Sequence, residues 1–370
     1  MRYPNTSRQS GEPPYGVDWK AYAGPIKDEH TKQGFHGRFG AGLPRVSDGS
    51  FLFLQHMLSH MKPTGSRVGI VLSGSPLFSG QAGSGESEIR RWILENDWLE
   101  GIVALPDQMF YNTGISTYVW ILTNDKADED RGTVKLIDAR ELGTKMRKSL
   151  GDKRKELTPN AIDEISRLYG GARDEYADDA RVKVLTNETF GFQRITVERP
   201  MRRRWEVTAK AVADEPYAAY ASLVGQRYET EKALLSEVPA LTTAQKRAFV
   251  KACAVADPEA PIITGRGGKV EPDADLRDQE NVPLPEGWLD LGNEEREKAL
   301  VESAEAHLES EIRPYVRDAW IDHAKTKVGF EIPFTRQFYV YTPPRPVEEI
   351  AQEIKDLETQ IQQWMSGLGL

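Results

Sequence analysis

Apolar side chains at Phe51, Leu52, Leu54, Met57, Leu58 and Met61 recur at helical spacing, with Asp48 and Ser50 as caps before them and Pro63 and Gly65 after. The pattern predicts an amphipathic helix. Residues 67–72 are short, apolar and β-branched and read as a buried strand, with the Ser/Gly-rich run 73–85 leaving its end. A helix over about 86–95 would bury Ile89, Trp92 and Ile93, and residues 99–105 form the next strand, stopped by Pro106. Residues 117–123 and 134–137 are two further strands. The charged turn 124–132 separates them, which predicts an antiparallel hairpin. Alternation of this kind predicts an α/β sheet that ends in an antiparallel edge.

The first 45 residues lack sustained periodicity and read as one long loop region with a short helix. Past residue 150 the chain shifts toward helix formers and charge: Thr158 and Pro159 open a helix that ends near Gly170. Residues 182–185 and 193–197 are short strand candidates, followed by mostly helical sequence to about Ala256. Residues 257–288 are Pro/Gly-rich and predict a linker, and helix returns from about 293 to 322. Val347, Ile350, Ile354, Leu357, Ile361 and Trp364 then follow the heptad spacing of a helix that packs against another helix. An ordinary amphipathic helix on its own domain fits that stripe equally well. The expected domains are 1–150, 151–256, the linker 257–288 and a helical 289–370.

Composition adds limits. Hydrophobic residues at 39% and charged residues at 28% suit packed domains. No apolar stretch approaches the roughly 20 residues of a membrane helix, and the first residues lack the apolar core of a secretion signal. Cytoplasmic residence is the expectation. One cysteine, Cys253, excludes an intrachain disulfide and reads as a small buried hydrophobe. His56 and His60 lie one helical turn apart but have no evident third ligand, so no metal is expected. The net charge of −9 argues against binding nucleic acid by global charge, leaving two local basic clusters. One contains Lys145, Arg147, Lys148, Lys153, Arg154 and Lys155; the other contains Arg199, Arg202, Arg203 and Arg204 beside Trp205. Each reads either as a solvated face or as a DNA contact.

Glu12-Pro13-Pro14-Tyr15 is the most informative short segment, because two prolines fix a polar side chain beside an aromatic ring. Such geometry suits an extruded base, with Tyr15 stacking and the Pro13 carbonyl accepting from an exocyclic amine. Pro-Pro pairs also occur in many ordinary loops. The run from Gly11 to Leu168 resembles the modification subunits of type I restriction-modification systems, adenine-specific DNA methyltransferases whose motif reads Asn-Pro-Pro-Tyr or Asn-Pro-Pro-Phe. The resemblance continues through Gly34-Phe35-His36-Gly37-Arg38-Phe39-Gly40, Leu43-Pro44-Arg45-Val46-Ser47-Asp48-Gly49-Ser50 and Gly74-Ser75-Pro76-Leu77-Phe78. It also covers Gly85-Glu86-Ser87-Glu88-Ile89-Arg90-Arg91, Leu105-Pro106, Phe110-Tyr111-Asn112-Thr113-Gly114-Ile115 and the tail from Phe330 to Pro346.

The resemblance implies the C-terminal half of a Rossmann-like S-adenosylmethionine methyltransferase sheet followed by a mainly helical region. It implies methyl transfer to the amino group of adenine at a specific DNA site, with Glu12, Pro13, Pro14 and Tyr15 holding the base. DNA, a specificity subunit and a restriction subunit are the implied partners, with the terminal helix as the specificity-subunit contact. Two departures qualify this. Glu12 stands where the family has Asn, adding a charge and displacing the acceptor by about an ångström, which can cost on the order of a hundredfold in rate. The family's Gly-rich turn for S-adenosylmethionine precedes the Pro-Pro motif and is not found here, and residues 1–11 are too polar for the strand expected before it. The turn at 80–85 follows a strand and opens a helix, but reads as a mobile loop beside the cleft rather than a donor seat. The expectation is a methylase cut near its middle and inactive alone; the alternative is a non-catalytic module that contacts DNA and the specificity subunit.

Overall fold

The polar opening of the chain does make a strand. The computed structural model describes residues 7–11, 13–171, 173–176, 178–341 and 343–367, and strand β1 (Ser7–Gly11) pairs in parallel with residues 66–70. This corrects the expectation that no strand leads into the Pro-Pro motif: at the end of the described sheet, backbone pairing suffices without an apolar run. Helix α1 (Ala23–Gln33) lies in the opening loop region, and α2 (Ser50–Ser59) realises the first predicted helix, burying Phe51, Leu52, Leu54 and Leu58. Strand β2 (Ser66–Ser73) follows, then the short α3 (Ser75–Phe78) and α4 (Gly85–Glu95). Strands β3 (Leu99–Ala104), β4 (Thr117–Thr123) and β5 (Thr133–Asp138) complete the predicted set.

Their pairing differs from the predicted hairpin. Strand β4 inserts between β2 and β3, antiparallel to both, while β5 pairs in parallel with β3. The apolar residues of β4, with Trp120 and Leu122 fully buried, suit the middle of the sheet better than an edge. After β5 come the two-stranded ribbon β6 (Thr144–Leu150) and β7 (Lys153–Glu156), helices α5 (Pro159–Gly170) and α6 (Arg173–Tyr176), and β8 (Val182–Thr186). The sheet order is β1-β2-β4-β3-β5-β8, and β8 is its antiparallel edge. This is an α/β fold in which β1, β2, β3 and β5 run the same way.

A second sheet forms around β9 (Gly191–Glu198). Between it and its partner lies a small module: β10 (Arg203–Glu206), β11 (Arg227–Tyr228), helices α7 (Glu231–Ser236) and α8 (Thr243–Cys253), and β12 (Ala254–Ala256). Its own core gathers Trp205, Val207, Leu234, Val238, Phe249 and Cys253, where burial pushes the Cys253 thiol up to about 11. The neck of the module is narrow: Asp273 N–H donates to the Arg199 carbonyl at 2.8 Å and Met201 N–H to that of Glu271 at 2.8 Å. Strand β13 (Asp278–Pro283) then pairs antiparallel with β9, so residues 257–288 contain a sheet strand where composition alone predicted a linker. Helix α9 (Asn293–His307) and the short strands β14 (Trp320–Ile321) and β15 (Lys327–Phe330) close this layer.

Arg90 ties the two sheets together. Fully buried, its guanidinium donates to the carbonyls of Phe330 at 2.5 Å, Pro76 at 2.9 Å and Ser79 at 2.8 Å. Burial lowers its pKa to about 10, against the raising effect of Glu86 and Glu331. Residues 333–370 form a separate unit containing α10 (Phe334–Gln337) and α11 (Val347–Gly367). The apolar stripe of α11 is exposed, Trp364 and Val347 most of all. Among the described residues no helix is long and apolar enough to cross a membrane.

Candidate active site

Three loops that leave the carboxyl ends of the parallel strands β1, β2 and β3 meet at one cleft of about 670 Å³. Crevices at the carboxyl ends of such strands are the usual ligand sites of open α/β sheets. Pro13, Pro14 and Tyr15 follow β1, Ser73 and Ser75 end β2, and Phe110, Tyr111 and Thr113 come from the loop after β3. The Tyr15 ring meets Phe110 edge to face at 5.8 Å between centroids and 75° between planes. Pro13 is buried and Pro14 exposed; Glu12 lies outside the described residues.

The polar wall is a single connected network. Asp48 is nearly buried; its carboxylate accepts from the Ser50 hydroxyl at 2.6 Å, the Ser50 amide at 3.1 Å and the Ser75 hydroxyl at 2.9 Å. Arg45 lies 3.6 Å from the same carboxylate and donates to Ser75 Oγ at 2.8 Å. Burial alone raises the Asp48 pKa, but the Ser50 and Ser75 hydrogen bonds and the Arg45 charge outweigh it and hold the group below the usual carboxylate range.

Two clamps fix this wall. Trp19 Nε1–H donates to the Arg45 carbonyl at 3.0 Å and the Gly49 amide donates to that of Val17 at 3.0 Å, tying the segment after Tyr15 to the Arg45–Asp48 loop. On the other side the Arg45 amide donates to the Glu86 carboxylate at 2.8 Å. Gly85 makes that approach possible, since a Cβ there would stand 1.8 Å from the Leu43 carbonyl oxygen.

The turn at 80–85 contributes nothing to the cleft lining, although the sequence placed it beside the cleft. The Ser84 hydroxyl caps α4 by accepting from the Ser87 amide, and a Cβ at Gly80 would meet that hydroxyl at 2.2 Å and the Glu86 side chain at 3.0 Å. The turn thus packs against its own side chains. The His56 and His60 rings lie 4.5 Å apart, and among the described residues no group of three or more His, Cys, Asp or Glu gathers to hold a metal.

The two basic clusters differ in their surroundings. Lys145, Arg147 and Lys148 are exposed on β6, with no ion pair among the described residues. Arg202 pairs with Asp318 at 3.1 Å, Arg203 with Asp273 at 4.0 Å and Arg204 with Asp257 at 2.9 Å. Sequence reasoning singled out Tyr15, gave Asp48 only a helix-capping role and assigned none to Arg45, Ser75 or Phe110. Their signal was present, since each belongs to a stretch that carries the family resemblance, and those stretches converge here.

The cleft at the strand ends thus joins an edge-to-face aromatic pair to a fixed polar wall. Residues 10–192, just under half of the chain, match the protein family described as N-6 DNA Methylase. It is 39% identical over 106 residues to the type I restriction enzyme HindI methylase subunit of Haemophilus influenzae, covering 29% of this chain and 23% of that protein. Against the MjaIX methylase subunit of Methanocaldococcus jannaschii it is 29% identical over 133 residues, covering 36% of this chain and 23% of the relative. The chain thus spans about a quarter of these curated relatives. A solved type I methyltransferase subunit from Streptococcus thermophilus matches 51% of this chain and 36% of its own at 26% identity, with a TM-score of 0.40.

Proposed function

We propose that the chain is a methylase subunit of a type I restriction-modification system, acting in methylation of the exocyclic amino group of adenine in DNA. Its own share is to hold the extruded base. The observation that carries this reading is the placement of Pro13, Pro14 and Tyr15 at the end of β1, with Tyr15 against Phe110 in the cleft. Tyr15 stacks on the base while Phe110 braces it, and the Pro13 carbonyl together with the side chain at position 12 accepts from the amine. Glu12 in place of Asn weakens that second contact.

Members of the family use S-adenosylmethionine as donor. The reading includes DNA, a specificity subunit and a restriction subunit as partners, a cytoplasmic location, and α11 as the contact for the specificity subunit. A single-stranded oligonucleotide carrying one 2-aminopurine tests the cleft, because stacking quenches its fluorescence. Saturable quenching by the full chain, weakened about tenfold or more in Tyr15→Ala, is expected, in keeping with the roughly 1–3 kcal/mol of a base-aromatic stack. No quenching, or equal quenching by the variant, removes the base-holding role. Tritium transfer from S-adenosylmethionine to DNA, with and without a specificity subunit, tests catalysis separately. Co-purification with that subunit without transfer would make the chain an assembly module.

A further inference from the structure

We propose that the β6-β7 ribbon is a clamp for the phosphate backbone of duplex DNA, seated beside the cleft; this rests on the base-holding reading above. The first observation is charge. In a chain of net charge −9, the ribbon carries Lys145, Arg147, Lys148, Lys153, Arg154 and Lys155 against Asp152 and Glu156. Lys145 and Lys155 face each other directly across the strands, an arrangement that like charges disfavour unless an anion lies between or beside them. Lys155 is held by Asp107 at 2.5 Å, but Lys145, Arg147, Lys148 and Arg154 are exposed with no ion pair among the described residues. By contrast Arg202, Arg203 and Arg204 already have carboxylate partners.

The second observation is position. A lone two-stranded ribbon is marginal in water, yet this one is fastened to the loop that lines the cleft. The Asp152 amide donates to the Tyr111 carbonyl at 3.0 Å, and the Arg154 and Lys155 amides donate to that of Gln108 at 3.0 and 3.2 Å. Gly151, at φ +64°, allows the contact, because a Cβ there would stand 2.6 Å from the Tyr111 carbonyl oxygen. Lys153 Nζ lies 5.5 Å from the centre of the Tyr111 ring. The same loop therefore carries Phe110 and Tyr111 into the cleft and anchors a row of unneutralised cations. A base drawn out of a duplex leaves flanking phosphates close by, and cations on a stiff ribbon meet them without base readout.

The test compares the full wild-type chain with the variant Lys145→Gln, Arg147→Gln, Lys148→Gln, Arg154→Gln, both checked for equal melting. Binding of a fluorescent duplex is measured over a salt series. Each lost phosphate contact lowers the log-log salt slope by about one, so the variant's slope is expected to fall by three to four, with affinity at least about a hundredfold weaker at low salt. Quenching of the single-stranded 2-aminopurine probe at saturation is expected to persist. An unchanged slope, or no duplex binding by the wild type, overturns the clamp. Displacement of duplex by poly-glutamate as readily as by unlabelled DNA also overturns it, by making the ribbon a surface for acidic protein. Loss of 2-aminopurine quenching by the wild type strikes the base-holding reading instead.

Discussion

Asp48 shows how one carboxylate organises the cleft wall, and its depressed pKa has a direct consequence. Stability from an acid whose folded pKa lies below its unfolded value is present above the unfolded value and lost as pH falls toward the folded one. Asp48→Asn is therefore expected to melt below the wild type at neutral pH, with the gap narrowing as pH drops below the ordinary 3.8. Melting scans across that range check it; a gap independent of pH would mean the charge is not what matters. Arg90 is the other decisive residue. Replacing it with Met leaves three buried carbonyls without donors, and a loss of roughly 3 kcal/mol or more is expected in denaturant unfolding. Tyr15 was legible because prolines advertise it. Phe110 stood in a stretch that carries the resemblance, but its pairing with Tyr15 was not legible, since an edge-to-face partner is set by how two strand ends meet in space.

At the scale of elements, hydrophobic periodicity located α2, β2, α4, β3, β4 and β5 within a residue or two, because each buries a face that must be apolar. Pairing order was less accessible: β4 joins β2 and β3 through backbone groups that every residue carries. Strand β1 went unrecognised for the same reason, its side chains being polar while its amides pair regularly. The clamp between α4 and the Arg45 loop depends on one missing side chain. Gly85→Ala, whose Cβ would overlap the Leu43 carbonyl, should cost about 1–3 kcal/mol as an overpacking change. It should also weaken quenching of the 2-aminopurine probe, since the loop carrying Arg45 and Asp48 must shift. Wild-type stability and quenching in this variant would show that the loop has slack.

For the molecule as a whole, the exposed stripe on α11 is separable from the rest. Every described side chain of that helix is exposed. A chain ending at Arg345 is therefore expected to keep its melting temperature within about 2 °C, since surface changes away from packed features seldom exceed about 0.5 kcal/mol, while losing any association with a specificity subunit. A large drop in melting temperature would assign the helix a folding role. The Pro/Gly composition of 257–288 suggested free chain, yet β13 answers to β9 across the whole inserted module, a partner too distant in sequence for any window to reveal.

That module enters and leaves at the backbone hydrogen bond between Arg199 and Asp273, with the Met201–Glu271 bond just inside it and Arg202 reaching out to Asp318. Hairpin turns of about two to five residues bridge gaps of this kind routinely. The β9-β13 ladder is thus a socket: with a short turn in place of the inserted lobe, the strands on either side are expected to keep their register, the Arg202–Asp318 pair being the tie that is lost.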